Sequence, residues 1–225
     1  MILSYHTLFY FNPITYFMAY LFKKISDCIP GSRPKYFFDA NVWIAALKSN
    51  ASLKIDYHEQ PYINFFDAVI TLNSYDTESI PLKKLTKQGL FQPKIIMTSL
   101  LMSEIFNAYI KGVAYETYLS QNGLSKNDLK FKDYRQMEDH ENQLSTLKSD
   151  FLAFYDYMEL WDDNFKNINP KSICTQLGSQ ADFNDHYYYD LFVDDGIPIV
   201  TGDGDFKFQD LEIITNRPNL LKLAS

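Results

Sequence analysis

At 225 residues the chain has the length of a single domain with elaborations. With 46% hydrophobic and 16% aromatic residues it can bury a core without a disulfide framework or a structural metal. The net charge of −7 counts against a protein that grips nucleic acid with a broad basic surface, but suits a carboxylate site for divalent cations, each of which returns two positive charges.

Residues 1–22, MILSYHTLFYFNPITYFMAYLF, hold no charged side chain and run directly into Lys23 and Lys24. Their length would allow a membrane span. Ser4, His6, Asn12, Pro13 and the interleaved tyrosines and threonines argue against one, since they make the stretch amphipathic. The other readings are an aromatic segment packed on the domain or on a second subunit, and a translation start at Met18. No basic leader or small-residue cleavage site marks a secretory signal. Cys28 and Cys174 fit no CxxC pattern and read as reduced, as in a cytoplasmic protein, with one disulfide as the alternative.

The turn PGSRP at 30–34 marks the expected start of the domain, leaving 1–34 as an N-terminal aromatic extension and 35–225 as the folded unit. Lys35–Asp39 reads as a buried strand, Asn41–Ser49 as a short helix, and the stretch opened by Pro61 as a second helix with Ile63, Phe66, Val69 and Ile70 inward. Residues 73–93 read as polar and turn-rich. A strand at Ile95–Thr98 leads into a helix from Leu100 to Tyr118. Ser125 and Asp128 stand at capping-box spacing. After them the apolar positions from Tyr134 through Phe151 and Phe154 to Trp161, three, four or seven apart, predict one long helix that packs on the core or pairs with a partner. Asn169-Pro170 ends that pattern. A helix at Phe183–Val193, a strand at Ile197–Thr201 and a strand at Leu211–Thr215 complete the chain. Strands alternating with helices predict an α/β three-layer sandwich with a mainly parallel sheet and a helical insertion at about 120–180.

In parallel sheets ligands bind beyond the carboxyl ends of the strands, and acids stand there. Asp39 ends YFFD, Glu104 lies a turn inside the helix after IIMT, Asp185 opens the helix that feeds IPIVT, and Asp203 and Asp205 follow that strand. Each has a plain alternative: Asp39 as a helix cap, Glu104 as a partner of the helix dipole, Asp182 and Asp185 as a capping pair, and Asp203 and Asp205 as turn residues. As a group they suit phosphodiester hydrolysis, in which hard cations prefer carboxylate oxygens and one or two ions activate water and stabilise the leaving oxygen. A calcium loop at Asp203 and Asp205 fails because Lys207 takes the next ligand position and the central glycine is missing. His186 and Asp190, four apart, read as a helix-surface pair before a metal pair. Among Tyr187, Tyr188 and Tyr189, at least one is expected in the core even if another stacks on bases.

The segments YFFDANVWI, TSLLMSEIFN, DFNDHYYYDLF and IVTGDGDF, in this order, resemble the four signature segments of the PIN-domain family, which includes the VapC-type toxin nucleases. The resemblance spans residues 35 to about 215. It implies a metal-dependent endoribonuclease in which Asp39, Glu104, Asp185 and Asp203 bind one or two Mg²⁺ or Mn²⁺ ions, Asp205 is an extra acid, and Asn41 and Thr201 orient the carboxylates. It also implies RNA as substrate and, for a toxin, an antitoxin partner. The segments between Asp39 and Glu104 and at 120–180 are longer than in the compact toxins. A non-catalytic binding or scaffolding protein on the same fold, dimeric through the long helix or attached to a membrane by its N-terminus, is the competing expectation.

Overall fold

The computed structural model describes residues 19–75, 80–178 and 181–224. Strand β2 (Lys35–Phe38) sets the layers, because successive side chains of a strand point to opposite faces. Tyr36 and Phe38 meet Phe65 and Phe66 of helix α2 (Gln60–Asn73), whereas Phe37 lies 4.6 Å, centroid to centroid, from both Tyr188 and Phe192 of helix α9 (Phe183–Phe192). Helices therefore cover both faces. Helix α1 (Ala40–Asn50) brings Trp43 against Phe66, Phe151 and Phe154 on the α2 side, with no exposed surface left on the indole.

The sheet is six-stranded and all parallel, in the order β1-β6-β5-β2-β3-β4, with β1 at Leu21–Lys24, β3 at Lys94–Met97, β4 at Met158–Leu160, β5 at Ile199–Val200 and β6 at Glu212–Thr215. Central strands buried on both faces need near-continuous apolar runs, which KYFF, KIIM and EIIT provide. This is the expected α/β three-layer sandwich. From β2 the chain moves through β3 to β4, then returns to place β5 on the opposite side of β2, with Phe37 beside Ile199 and Phe38 beside Val200. The β2/β5 boundary is thus the topological switch point, where the connections diverge and leave a crevice.

Four expectations need correction. The sheet begins at Leu21, before the expected domain start: β1 pairs along β6 from Leu21 beside Glu212 to Lys24 beside Thr215. In LFKK only Phe22 is buried, as suits an edge strand, so the segment carries almost no hydrophobic signal of its own. The rest of the expectation for residues 1–22 falls on 1–18, outside the described residues.

The single long helix is also broken. Residues 131–161 form α6 (Phe131–Tyr134), α7 (Glu138–Leu152), a 3₁₀ turn at Tyr155–Tyr157 and strand β4, whose Met158 lies beside Ile95. The seven-residue register holds only because each buried position finds a different partner: Leu147 and Phe151 pack from α7, while Phe154 is buried after the helix has ended. The region 120–180 thus supplies the far edge of the sheet as well as helices.

Finally, the stretch read as turns at 73–93 contains helix α3 (Ile80–Lys87). Ser125 and Asp128 close a turn instead of starting a helix: both the Ser125 amide and its hydroxyl donate to the Asp128 carboxylate. The helix after β3 runs as expected but in pieces, α4 (Ser99–Tyr109), a π-helical turn at Ile110–Ala114 and α5 (Tyr115–Gln121). Helices α8 (Pro170–Gln176) and α10 (Pro218–Leu221) complete the elements. Among the described residues no helix is long and apolar enough to cross a membrane.

Candidate active site

Asp39 leaves β2 at the switch point and caps α1, accepting a hydrogen bond of 2.6 Å from the Ala40 amide. Thr201 leaves the neighbouring strand β5. Its fully buried hydroxyl donates to the second Asp39 oxygen at 2.7 Å and accepts from the Asp203 amide at 2.9 Å and the Asn41 side chain at 3.3 Å. Asn41 also donates to Asp39, and its oxygen accepts from the Gly202 amide at 2.9 Å. That last bond needs a close approach, since a Cβ on Gly202 would sit 3.1 Å from the same Asn41 oxygen. Three short-range signals, a strand end, a cap and a glycine turn, thereby lock the first and last acids into one frame.

The other two acids come from the helical layers. Glu104 sits in α4, whose start is capped by Thr98. Tyr188, buried in α9 on the opposite face, reaches across the end of the sheet and donates its hydroxyl to Glu104 at 3.0 Å. Asp185 is fixed by the expected capping box: its carboxylate accepts from the Asp182 amide at 3.0 Å, and Asp182 accepts from the amides of Asn184 and Asp185. Of the three tyrosines, Tyr187 and Tyr188 are core, and Tyr189 stacks on Phe208.

The acids feel one another. Burial, then the charges of Glu104 and Asp203, push the Asp39 carboxyl up to about 6 against the lowering by Thr201 and Ala40. Burial, then Asp182, Asp39 and Asp203, push Asp185 up to about 7. Burial raises Glu104 as well, assisted by Asp182 and opposed by hydrogen bonds from Tyr188 and Asn184. Among the described residues no Lys, Arg or His stands within 4 Å of any of the four carboxylates to form an ion pair. Among the described residues no three His, Cys, Asp or Glu side chains stand together as a finished metal cage.

Asp39, Glu104, Asp185 and Asp203 are therefore brought into one electrostatic neighbourhood, with Asn41 and Thr201 as orienting groups. Asp205 is not: exposed, it faces Lys207 at 4.0 Å, and only its amide joins the site, donating to Asp203 at 2.8 Å. Three further contributors carry no sequence signal for this role. Asp182 is legible only as a cap, Asn184 belongs to no pattern, and Tyr188 can be placed in the core but not against Glu104. No protein-family model matches the chain, and no curated protein or solved structure matches it significantly.

Proposed function

We propose that the chain is a metal-dependent endoribonuclease acting at the β2/β5 switch point. The observation that supports this most is the gathering of four carboxylates, two of them raised to about 6 and 7, with no cation among the described residues paired to them. Holding like charges together in a partly buried crevice is unfavourable and has no evident structural return, because caps and turns need only one acid each. An all-oxygen donor set of this kind fits a hard divalent ion such as Mg²⁺ or Mn²⁺. Such an ion, when bound, supplies the positive charge that draws in a phosphodiester and acidifies an attacking water.

The chain's own residues have separable tasks. Asp39 and Asp203 hold the floor of the crevice, oriented by Thr201 and Asn41. Glu104, steadied by Tyr188, and Asp185, steadied by the Asp182 amide, close it from the two helical layers. The carboxylates must be deprotonated to act, so protons compete with the cation where Asp39 and Asp185 titrate. The unpaired Cys28 and Cys174 are in keeping with a reducing, cytoplasmic setting. RNA as substrate comes from the resemblance of the four segments to PIN-domain nucleases, as does the further reading of the protein as the toxin of a toxin–antitoxin pair.

The test is cleavage of labelled RNA by the purified protein with Mn²⁺, with EDTA and with Asp39→Asn. Metal-dependent cleavage lost in the variant is the expected result. Cleavage indifferent to both treatments would overturn the site, and no cleavage of structured or single-stranded RNA would leave the non-catalytic scaffold as the better account.

A further inference from the structure

Beside the carboxylates lies a cavity of about 380 Å³ that the metal site does not use. Its wall includes Asn41 and Gly202, the pair whose hydrogen bond closes the carboxylate frame, so the cavity and the acids share one partition. Tyr57, His58, Asn216 and Arg217 also line it.

We propose that this cavity holds a nucleobase of the RNA strand next to the phosphate at the carboxylates. The inference builds on the nuclease reading above but makes its own claim about binding. The volume falls within the roughly 300–1,000 Å³ typical of small-molecule sites. At the mouth, Tyr57 is 78% exposed, the highest fraction of any large hydrophobic side chain described, and its ring lies 3.6 Å from that of His58. The two rings lie against each other, tilted by 38°, which leaves the outer face of the exposed Tyr57 ring for a flat base to stack on, and stacking of this kind is indifferent to base identity.

The inner wall is chemically specific. The Asn216 side-chain oxygen is buried and has no hydrogen-bond donor among the described residues, an unfavourable state for an acceptor. Turning the amide into the cavity would let it accept from a ring N–H or exocyclic amine, groups that nucleobases carry on their edges. The backbone beneath is already set: the Asn216 amide donates to the Tyr62 hydroxyl at 2.7 Å, and the Arg217 amide donates to the Thr215 hydroxyl at 3.1 Å. Arg217 is anchored by its Nε to the Gly202 carbonyl, and among the described residues no carboxylate forms an ion pair with its guanidinium. Its remaining N–H groups can meet a phosphate between base and metal. Arg33, by contrast, is tied to Glu212.

Binding can be measured without catalysis. With the full-length protein in EDTA, saturation-transfer NMR on AMP, GMP, CMP and UMP in turn should show contact at the base protons of at least one nucleotide. Tyr57→Ala, at an exposed position that does not threaten folding, and Asn216→Ala should each weaken that binding roughly 5- to 100-fold, the range seen when a stacking partner is lost. Lys35→Met, outside the cavity lining, should leave it within about twofold, a change of under 0.5 kcal/mol by the usual conversion. No base contact with any of the four nucleotides, or contact unaltered in both Tyr57→Ala and Asn216→Ala, overturns the proposal. Nucleotide binding that depends on Tyr57 in a protein that cleaves no RNA would retain the cavity assignment and discard the nuclease reading. Mn²⁺-dependent cleavage without nucleotide binding would do the reverse.

Discussion

Glu159 and Glu212 sit on the sheet with cations beside them, whereas Asp39, Glu104, Asp185 and Asp203 stand at its carboxyl end with no ion-pair partner among the described residues. Glu212 is met by Lys23 at 2.9 Å and Arg33 at 2.6 Å, and Glu159 by Lys35 at 2.6 Å and the Trp161 indole at 2.7 Å. Burial pushes the Glu159 carboxyl up, but Lys35 and Trp161 outweigh it and hold the group below its ordinary value. At the other end burial and like charges act together, and Asp39 and Asp185 rise. The fold therefore pairs some of its acids and, among the described residues, leaves one set without a cation, and the proposed metal site rests on that contrast.

Four experiments would break or sharpen this contrast. The largest effect is expected from Asp39→Asn, which should lower Mn²⁺-dependent RNA cleavage at least about a hundredfold, since it removes a charge from the centre of the group. The same variant should be more stable than the wild type in EDTA. Because the folded Asp39 carboxyl titrates near 6 and the unfolded one near its ordinary value, the folded state holds its proton more tightly. Wild-type stability is then undiminished below about pH 4 and is lost as pH rises through 6, by an amount on the order of 3 kcal/mol. Urea unfolding at pH 8 should show the variant ahead, and at pH 4 the two should coincide. A variant less stable at pH 8 would mean that Asp39 has a partner of opposite charge.

Metal response comes next in size. Mn²⁺ should raise the wild-type melting temperature at pH 8, and the rise should vanish by about pH 5.5, because Asp39 and Asp185 take up protons between about 7 and 6. An equal shift at both pH values in a thermal scan would place the metal elsewhere. Thr201→Val tests the frame. It keeps the shape but strips the hydroxyl that serves Asp39, Asn41 and the Asp203 amide, and should cost about 1–3 kcal/mol of stability and roughly 10- to 100-fold in cleavage. Activity at the wild-type level would show that Asn41 alone orients Asp39.

The smallest effect belongs to the paired acids. Lys35→Met should cost under about 1 kcal/mol, since both partners of its bridge remain a third or more exposed, and should leave cleavage unchanged. A loss of cleavage there would undo the distinction between the two sets.

Much of the carboxylate site is legible in the amino-acid sequence. Asp39 follows an apolar run of strand type, Asp203 follows another, and Asp185 stands three residues after Asp182 at the start of a helix. Each of those signals is local, carried by residues two to four apart. Glu104 is legible as an acid in the right helix but not as one held by Tyr188, because that hydrogen bond joins helices on opposite faces of the sheet. Asp205 misleads for the same reason: its spacing from Asp203 says nothing about which way its side chain turns, and it turns to Lys207.

The sequence by itself determined the α/β alternation, the central strands β2, β3, β5 and β6, and three of the four acids at strand and helix ends, since periodicity and capping are settled by near neighbours. Only the tertiary structure decided the two edges of the sheet. LFKK becomes a strand because β6 lies beside it, and MEL becomes one because β3 does, against a helical register that runs almost unbroken to that point. It also decided the cavity behind Asn41 and Gly202, whose walls come from α1, from α2 and the stretch before it, and from the exits of β5 and β6. Edge pairing and cavity walls depend on residues far apart in the chain, and no local pattern encodes which distant segment will stand alongside.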